Sequence, residues 1–268
     1  MFPLHERELP TTAGGLAYAL TTSLQRALQI PGEPVSVREI NYPDLSEIAI
    51  DLSGSKIRSN IPRPSLPDGR GKPVITAQHF ALKAEPVLFG DAAININIDA
   101  NGIVLHRSFD DEGNLVLHIH RAHSGWLGIS IRQRDLEILI EKFAKIEAGK
   151  QGVAIDKLQL GLTSRGPRSL KAEIRVEARK LFIRTTIRIA GVLKINEQLV
   201  AQISDLTCNG DGAMGTLACS VLAPHLQALQ SNQLPLLALP LGEIQLRDIN
   251  LNVADGIEVT AEFGAAQA

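Results

Sequence analysis

The chain has 268 residues, with 27 lysines and arginines against 29 aspartates and glutamates, for a net charge of -2. That length buries a core without help from disulfides or metals, and a charge so close to balance excludes the broad basic footprint of a nucleic-acid-binding protein. Two cysteines, Cys208 and Cys219, are too few for a disulfide framework and match no zinc spacing. They read as two small buried residues, or as one bridge if the protein is exported.

Residues 1–15 read as a disordered arm. The opening MFPLHERELP lacks a basic start followed by an apolar run, so the expectation is a cytoplasmic protein, or an exported or membrane-associated one if a leader has been removed. No run of eighteen apolar residues occurs, so no spanning helix is expected. Leu16, Leu20, Leu24 and Leu28 recur at helical spacing with Ala17 and Ala27, predicting a helix over 16–28 that Pro31, Gly32 and Pro34 end. Alternation then predicts strands through Val35 and Val37 and through Ile48, Ile50 and Leu52. Residues 59–73, with four prolines and two glycines, read as a surface loop. Ile94, Ile96 and Ile98 mark one further strand; Leu115, Leu117 and Ile119 mark another, with Asn101-Gly102 and Glu112-Gly113 as turns.

A second helix is predicted from Asp135, with Leu136, Leu139, Ile140, Phe143 and Ile146 on one face and Gly149 and Gly152 closing it. From Leu158 to Leu206 alternation is nearly unbroken: Ile174, Val176 and Ala178 are followed by Ile183, Ile187 and Ile189, with Glu173, Arg175, Glu177, Arg184 and Arg188 on the opposite face. Such a pattern belongs to long antiparallel strands with one dry and one wet side. The Gly-rich CNGDGAMG (208–215) has no neighbouring Lys or Arg, so it reads as a flexible turn rather than a phosphate loop. Residues 212–242 contain no Asp, Glu, Lys or Arg. Within them Leu222, Leu226 and Leu229 predict a short third helix with Pro224 in its first turn, followed by an extended apolar segment at 234–242. Two last strands, around 244–253 and 257–263, flank Asp255-Gly256.

Long strands with one apolar face need something to cover it, and only two substantial helices are on offer. The expected fold class is therefore α+β, a long, strongly curved antiparallel sheet wrapped around two main helices. Residues 16–264 read as one domain, compatible with two helix-plus-sheet repeats at 16–133 and 134–264. Aromatic content is only 4%, so the interior is lined by Leu, Ile, Val and Ala. Such a lining suits acyl chains, whose transfer from water is worth about 0.8 kcal/mol per methylene. A core simply filled by those side chains is the other reading.

The C-terminal segment LPLLALPLGEIQLRDINLNVADGIEVTAEFG (234–264) resembles the closing signature of the LmeA-like phospholipid-binding family of bacteria. Leu239-Pro240-Leu241-Gly242, then Leu246 and Ile249, Asp255-Gly256, and Val259 and Ala261 carry the likeness. The resemblance implies a TULIP-like fold, with a lipid tunnel between curved sheet and helix, binding of a phospholipid or other acyl lipid, transient membrane contact, and no catalysis. It brings no short ligand motif, so the lining is assigned from helix faces: Leu20, Leu24, Leu28, Leu136, Leu139, Ile140, Phe143, Leu226 and Leu229. Arg165 and Arg168, beside Gly166 and Pro167, are the candidates for a lipid headgroup.

His118 and His120 share a strand face, the arrangement of a chelating pair, with His123 close by. Leu115, Leu117 and Ile119 claim the other face, which leaves the histidines to solvent, and no metal is assigned. The chain has no nucleophile elbow, Cys–His signal or paired-carboxylate motif. It reads as a non-enzyme without cofactor. The rivals to lipid binding are an interaction or scaffold module with a filled core, and a hydrolase.

Overall fold

The computed structural model describes residues 2–58, 71–150, 152–180, 183–238 and 243–265. In chain order its elements are β1 (Phe2–Pro3), α1 (Ala13–Ala27), β2 (Leu28–Gln29), β3 (Val35–Asn41), β4 (Asp44–Asp51), β5 (Lys56–Ile57), β6 (Lys72–Phe89), β7 (Ala92–Phe109), β8 (Leu115–Arg121) and β9 (Ser124–Arg132). There follow α2 (Gln133–Lys150), β10 (Ala154–Gly166), β11 (Ser169–Lys180), β12 (Ile183–Ile195), β13 (Val200–Gly210), α3 (Gly212–Ser231), β14 (Gln233–Pro235), a 3-10 turn (Leu236–Ala238), β15 (Ile244–Val253) and β16 (Gly256–Ala265). The Pro-rich loop expected at 59–73 lies outside the described residues as far as 70, as do residues 239–242 of the expected apolar segment.

The chain divides into two compact units. Unit 1 comprises residues 1–129, 240–248 and 260–268; unit 2 comprises 130–239 and 249–259. In unit 1, β6 and β7 form an 18-residue hairpin, the longest in the molecule, and β4 and β5 both pair with β6 in parallel. The larger sheet runs β15-β16-β9-β7-β6-β4-β3, with β8 on β7 and β1 on β8. The Thr12 hydroxyl caps α1 by accepting from Gly15 N at 3.1 Å. The helix then lays Leu16 and Leu20 into a core with Ile48, Ile75, Phe80 and Ile103. The segment expected as an arm takes part as well. β1 pairs with β8, and Leu4 is 1% exposed because Leu4 N donates to Leu115 O.

The β7–β8 ladder also gathers three histidines. His106 stands opposite His118, and a bulge in β8 leaves His120 without a direct partner between Ile119 and Arg121. A bulge re-aims the extra side chain, and the His120 ring stacks on His106 with centroids 3.8 Å apart. All three are half-buried rather than solvated as expected, because β7 supplies a histidine to the same face. Burial, reinforced by its histidine neighbours, holds His118 below the ordinary histidine pKa. His106 is lowered by burial and by His120, against a hydrogen bond with the Gly71 backbone.

Unit 2 is an antiparallel meander, β10-β11-β12-β13-β14. Its alternating sequence forms the strands expected between 158 and 206: Ile174 faces Leu160 on one side and Ile189 on the other. α2 packs on β10, and α3 on β12 and β13. At the β10 edge, Leu160 N donates to Glu137 Oε1 at 2.8 Å, and Gln133 Nε2 donates to Leu160 O at 2.6 Å. Two α2 side chains thereby satisfy the outward backbone groups of Leu160 on this end strand.

A strongly curved antiparallel sheet wrapped around two main helices is therefore not what forms. Of the described residues 59% are strand and 23% helix, with three α-helices among them, and the sheets are not strongly curled. The physical reason lies in helix placement. α1 caps a well-filled core, α2 is clamped to an edge strand by its polar side chains, and Asp135 is the sole buried residue of α2. The third helix is also longer than predicted: it starts at Gly212, within the presumed flexible turn, so Pro224 lies inside it rather than in its first turn.

Candidate functional site

The candidate site is the apolar surface of unit 2, and it begins with a sequence that no charge interrupts. α3 reads GAMGTLACSVLAPHLQALQS, and no Asp, Glu, Lys or Arg occurs until Glu243. A helix apolar on all sides is expected to be buried in protein or in lipid. Here the helix is held to the sheet along one side only. A disulfide joins Cys208 on β13 to Cys219 on α3, with Cα atoms 5.6 Å apart. Thr185 Oγ1 donates to Asp211 O at 3.0 Å where the helix begins. Gly210 and Gly215 lie so close that a β-carbon on either would strike the backbone of the other, which fixes the approach of helix to strand.

The other side stays open. Leu217 and Val221, four residues apart and so on one face, are 57% and 64% exposed. Leu229, Leu234 and Leu237 continue the exposed apolar surface beyond them. Pro224 has no N–H to donate to the Ser220 carbonyl; the Ser220 hydroxyl donates separately to Thr216 O, 2.9 Å away. Large apolar side chains exposed together on one helix and the segment after it make this a candidate contact surface. No described helix is long and apolar enough to cross a membrane.

The residues assigned to a lipid lining separate into two groups. Leu20 is 2% exposed in the unit 1 core, with Leu24 and Leu28 packed partly buried against it; Leu28 pairs with Ile57. In unit 2, Leu136, Leu139 and Ile140 are half-buried on α2, and Phe143 is 57% exposed. On α3, Leu226 is half-buried and Leu229 largely exposed. Of the headgroup candidates, Arg165 is exposed near the β10–β11 tip. Arg168 is partly buried, its Nε donating to Ile249 O at 3.2 Å. Concavities on unit 2 lined by Gln159, Lys171 and Glu173, and by Asp156, Arg179 and Arg184, are open and polar.

One feature escaped sequence reasoning. The Leu217–Val221 face went unread because CNGDGAMG (208–215) reads as a flexible turn, although Met214, Leu217 and Val221 themselves stand at helical 3–4 spacing. The Cys208–Cys219 bridge, one of the two readings the cysteines left open, forms where α3 folds back along the strand that precedes it. Comparison with protein-family models, with curated proteins and with solved structures finds no match for this chain.

Proposed function

We propose that the protein binds acyl lipid without catalysing a reaction, and that the contact is made by the charge-free face of α3 and the segment that follows it. The carrying observation is the exposure of Leu217 and Val221 on a helix without charged residues. Residues 212–242 also lack Trp, Tyr, Phe and Arg, the anchors that protein–protein hot spots favour. The large apolar side chains exposed there are aliphatic, the kind that hydrocarbon chains meet on equal terms. The resemblance of 234–264 to the LmeA-like phospholipid-binding family points to the same ligand class, with Arg165 as the residue best exposed to greet a phosphate. A disulfide persists in oxidising surroundings, so Cys208–Cys219 favours an exported or membrane-associated protein over a cytoplasmic one.

The test is co-sedimentation with phosphatidylcholine–phosphatidylglycerol vesicles, together with mass spectrometry of an organic extract of the purified protein. Wild type is expected to pellet with vesicles and to carry lipid. L217D/V221D is expected to lose vesicle binding about tenfold or more while keeping its circular dichroism, since surface changes seldom cost more than about 0.5 kcal/mol. A second reading is a protein-docking module, in which the same exposed leucines receive a partner chain. That reading predicts a bare mass and no pelleting, and this outcome would remove the lipid assignment.

A further inference from the structure

The three histidines of unit 1 have no part in the lipid reading, and their geometry is that of a ligand set. His106, His118 and His120 each place a ring nitrogen so that all three atoms lie within 4.8 Å of one another. In a tetrahedral zinc site with bonds of about 2.0–2.1 Å, nitrogens stand about 3.3 Å apart. Closing that difference takes rotation of the side chains, including the His106 and His120 rings, which stack 18° from parallel. Nδ1 of His106 and Nδ1 of His118 are buried and have no hydrogen-bond partner among the described residues. A buried nitrogen left without a partner is costly, and two such atoms on rings of one cluster are accounted for by a shared third body.

The surroundings are built for that purpose. His120 Nε2 lies 3.5 Å from Glu243 Oε1, and Glu243 N donates to His120 O at 2.8 Å, so a carboxylate is fixed beside one ring. Carboxylates in this relation steady the orientation of metal-ligating histidines. Gly71 closes the site from β6's leading end. A β-carbon there would come within 2.8 Å of both His106 Cβ and His118 Cε1, so only glycine lets the backbone pass against the rings. The β8 bulge supplies the third ring by turning His120 over His106. His123, one strand end later, is exposed and outside the cluster.

We propose that His106, His118 and His120 bind one divalent transition-metal ion, with Glu243 as the positioning residue for His120. Three imidazoles without a thiolate select the borderline ions, with zinc the physiological choice and nickel or copper able to substitute. Three protein ligands leave a fourth position for water or an exogenous donor. The ion would pin β7 to β8 and join Glu243 to the same node.

Calorimetric titration of the chelator-stripped, full-length protein with zinc chloride tests this. One ion per chain is expected, together with a rise in Tm that excess chelator reverses. His106→Gln and His120→Gln are each expected to weaken zinc binding at least tenfold, and His123→Gln to leave it unchanged. Cobalt(II) gives a second readout on wild-type protein, with visible absorption bands expected at one equivalent. The proposal is overturned if wild type takes up no zinc, or if folded His106→Gln and His120→Gln proteins bind it as tightly as wild type. Neither outcome bears on vesicle binding, which is carried by a different unit.

Discussion

Unit 1 and unit 2 start from similar material and finish differently. Each has an amphipathic helix beside long strands of alternating Ile, Val and Leu. In unit 1 the helix stripe meets the sheet, and among the described residues every one of the largest fully buried side chains belongs to that unit. In unit 2 the dry strand faces are only partly covered, and Leu217, Val221, Leu229, Leu234, Leu237 and Ile183 remain exposed. The difference is one of docking rather than composition. A helix whose leucines enter the sheet makes a core, whereas a helix held by a disulfide, a glycine contact and side-chain clamps can leave its leucines outside.

The sharpest test of this contrast is a pair of truncations. Phe80→Ala, at a ring 2% exposed in the unit 1 core, is expected to cost about 3–5 kcal/mol in urea denaturation. Leu217→Ala on α3 is expected to change stability by no more than about 0.5 kcal/mol. Equal effects would mean that the two units are packed alike. Next in size is the bridge. Cys208→Ser, or reduction, opens a loop spanning a sequence separation of 11 residues, which is expected to cost about 3 kcal/mol. Hydrogen exchange should report the loosening in α3 and β13 and leave the unit 1 hairpin protected.

The smallest effect concerns pH and belongs to unit 1. His79 Nε2 lies 2.8 Å from Asp99 and its Nδ1 3.4 Å from Glu47. The hydrogen bond to Asp99, and with it the Glu47 contact, raises the His79 pKa despite partial burial. A pKa raised by folding gives stability that is complete below the unfolded value of about 6.5 and is lost as pH climbs through the folded one. The side chain is 35% exposed, so solvent screening holds the contribution to a few tenths of a kcal/mol. Wild type is therefore expected to lose slightly more Tm than His79→Gln between pH 6 and pH 8.5. Parallel curves would discount the pair of acids as a source of stability.

Much of the strand content was legible because alternation is a local property. Ile94, Ile96 and Ile98 mark β7, and Ile174, Val176 and Ala178 mark β11, without reference to any other segment. The sheet's shape was not, because curvature depends on where helices dock, and α2 docks through Gln133 and Glu137 rather than through its apolar stripe. The parallel pairing of β4 with β6 was hidden for a related reason, since nothing in Ile48 or Ile50 says which neighbour it will have. For the exposed leucines, the missing charges of 212–242 were visible, yet exposure itself is a property of the packed molecule. The histidine cluster illustrates the limit most clearly. His118 and His120 advertise themselves as a pair, but His106 joins them only through the register of an antiparallel ladder closed around Asp110 and Asn114.

The clamp on Leu160 carries a further consequence. A greasy meander is the sort of object that recruits copies of itself, since each unsatisfied border invites another chain to add on and a fibre to grow. Unit 2 has that border interrupted at Leu160 by two α2 side chains, and its other terminus is a three-residue strand ending in Pro235, which has no N–H to offer a further strand. Each is a point at which the addition of another chain is obstructed, in a unit that keeps several leucines on its outside.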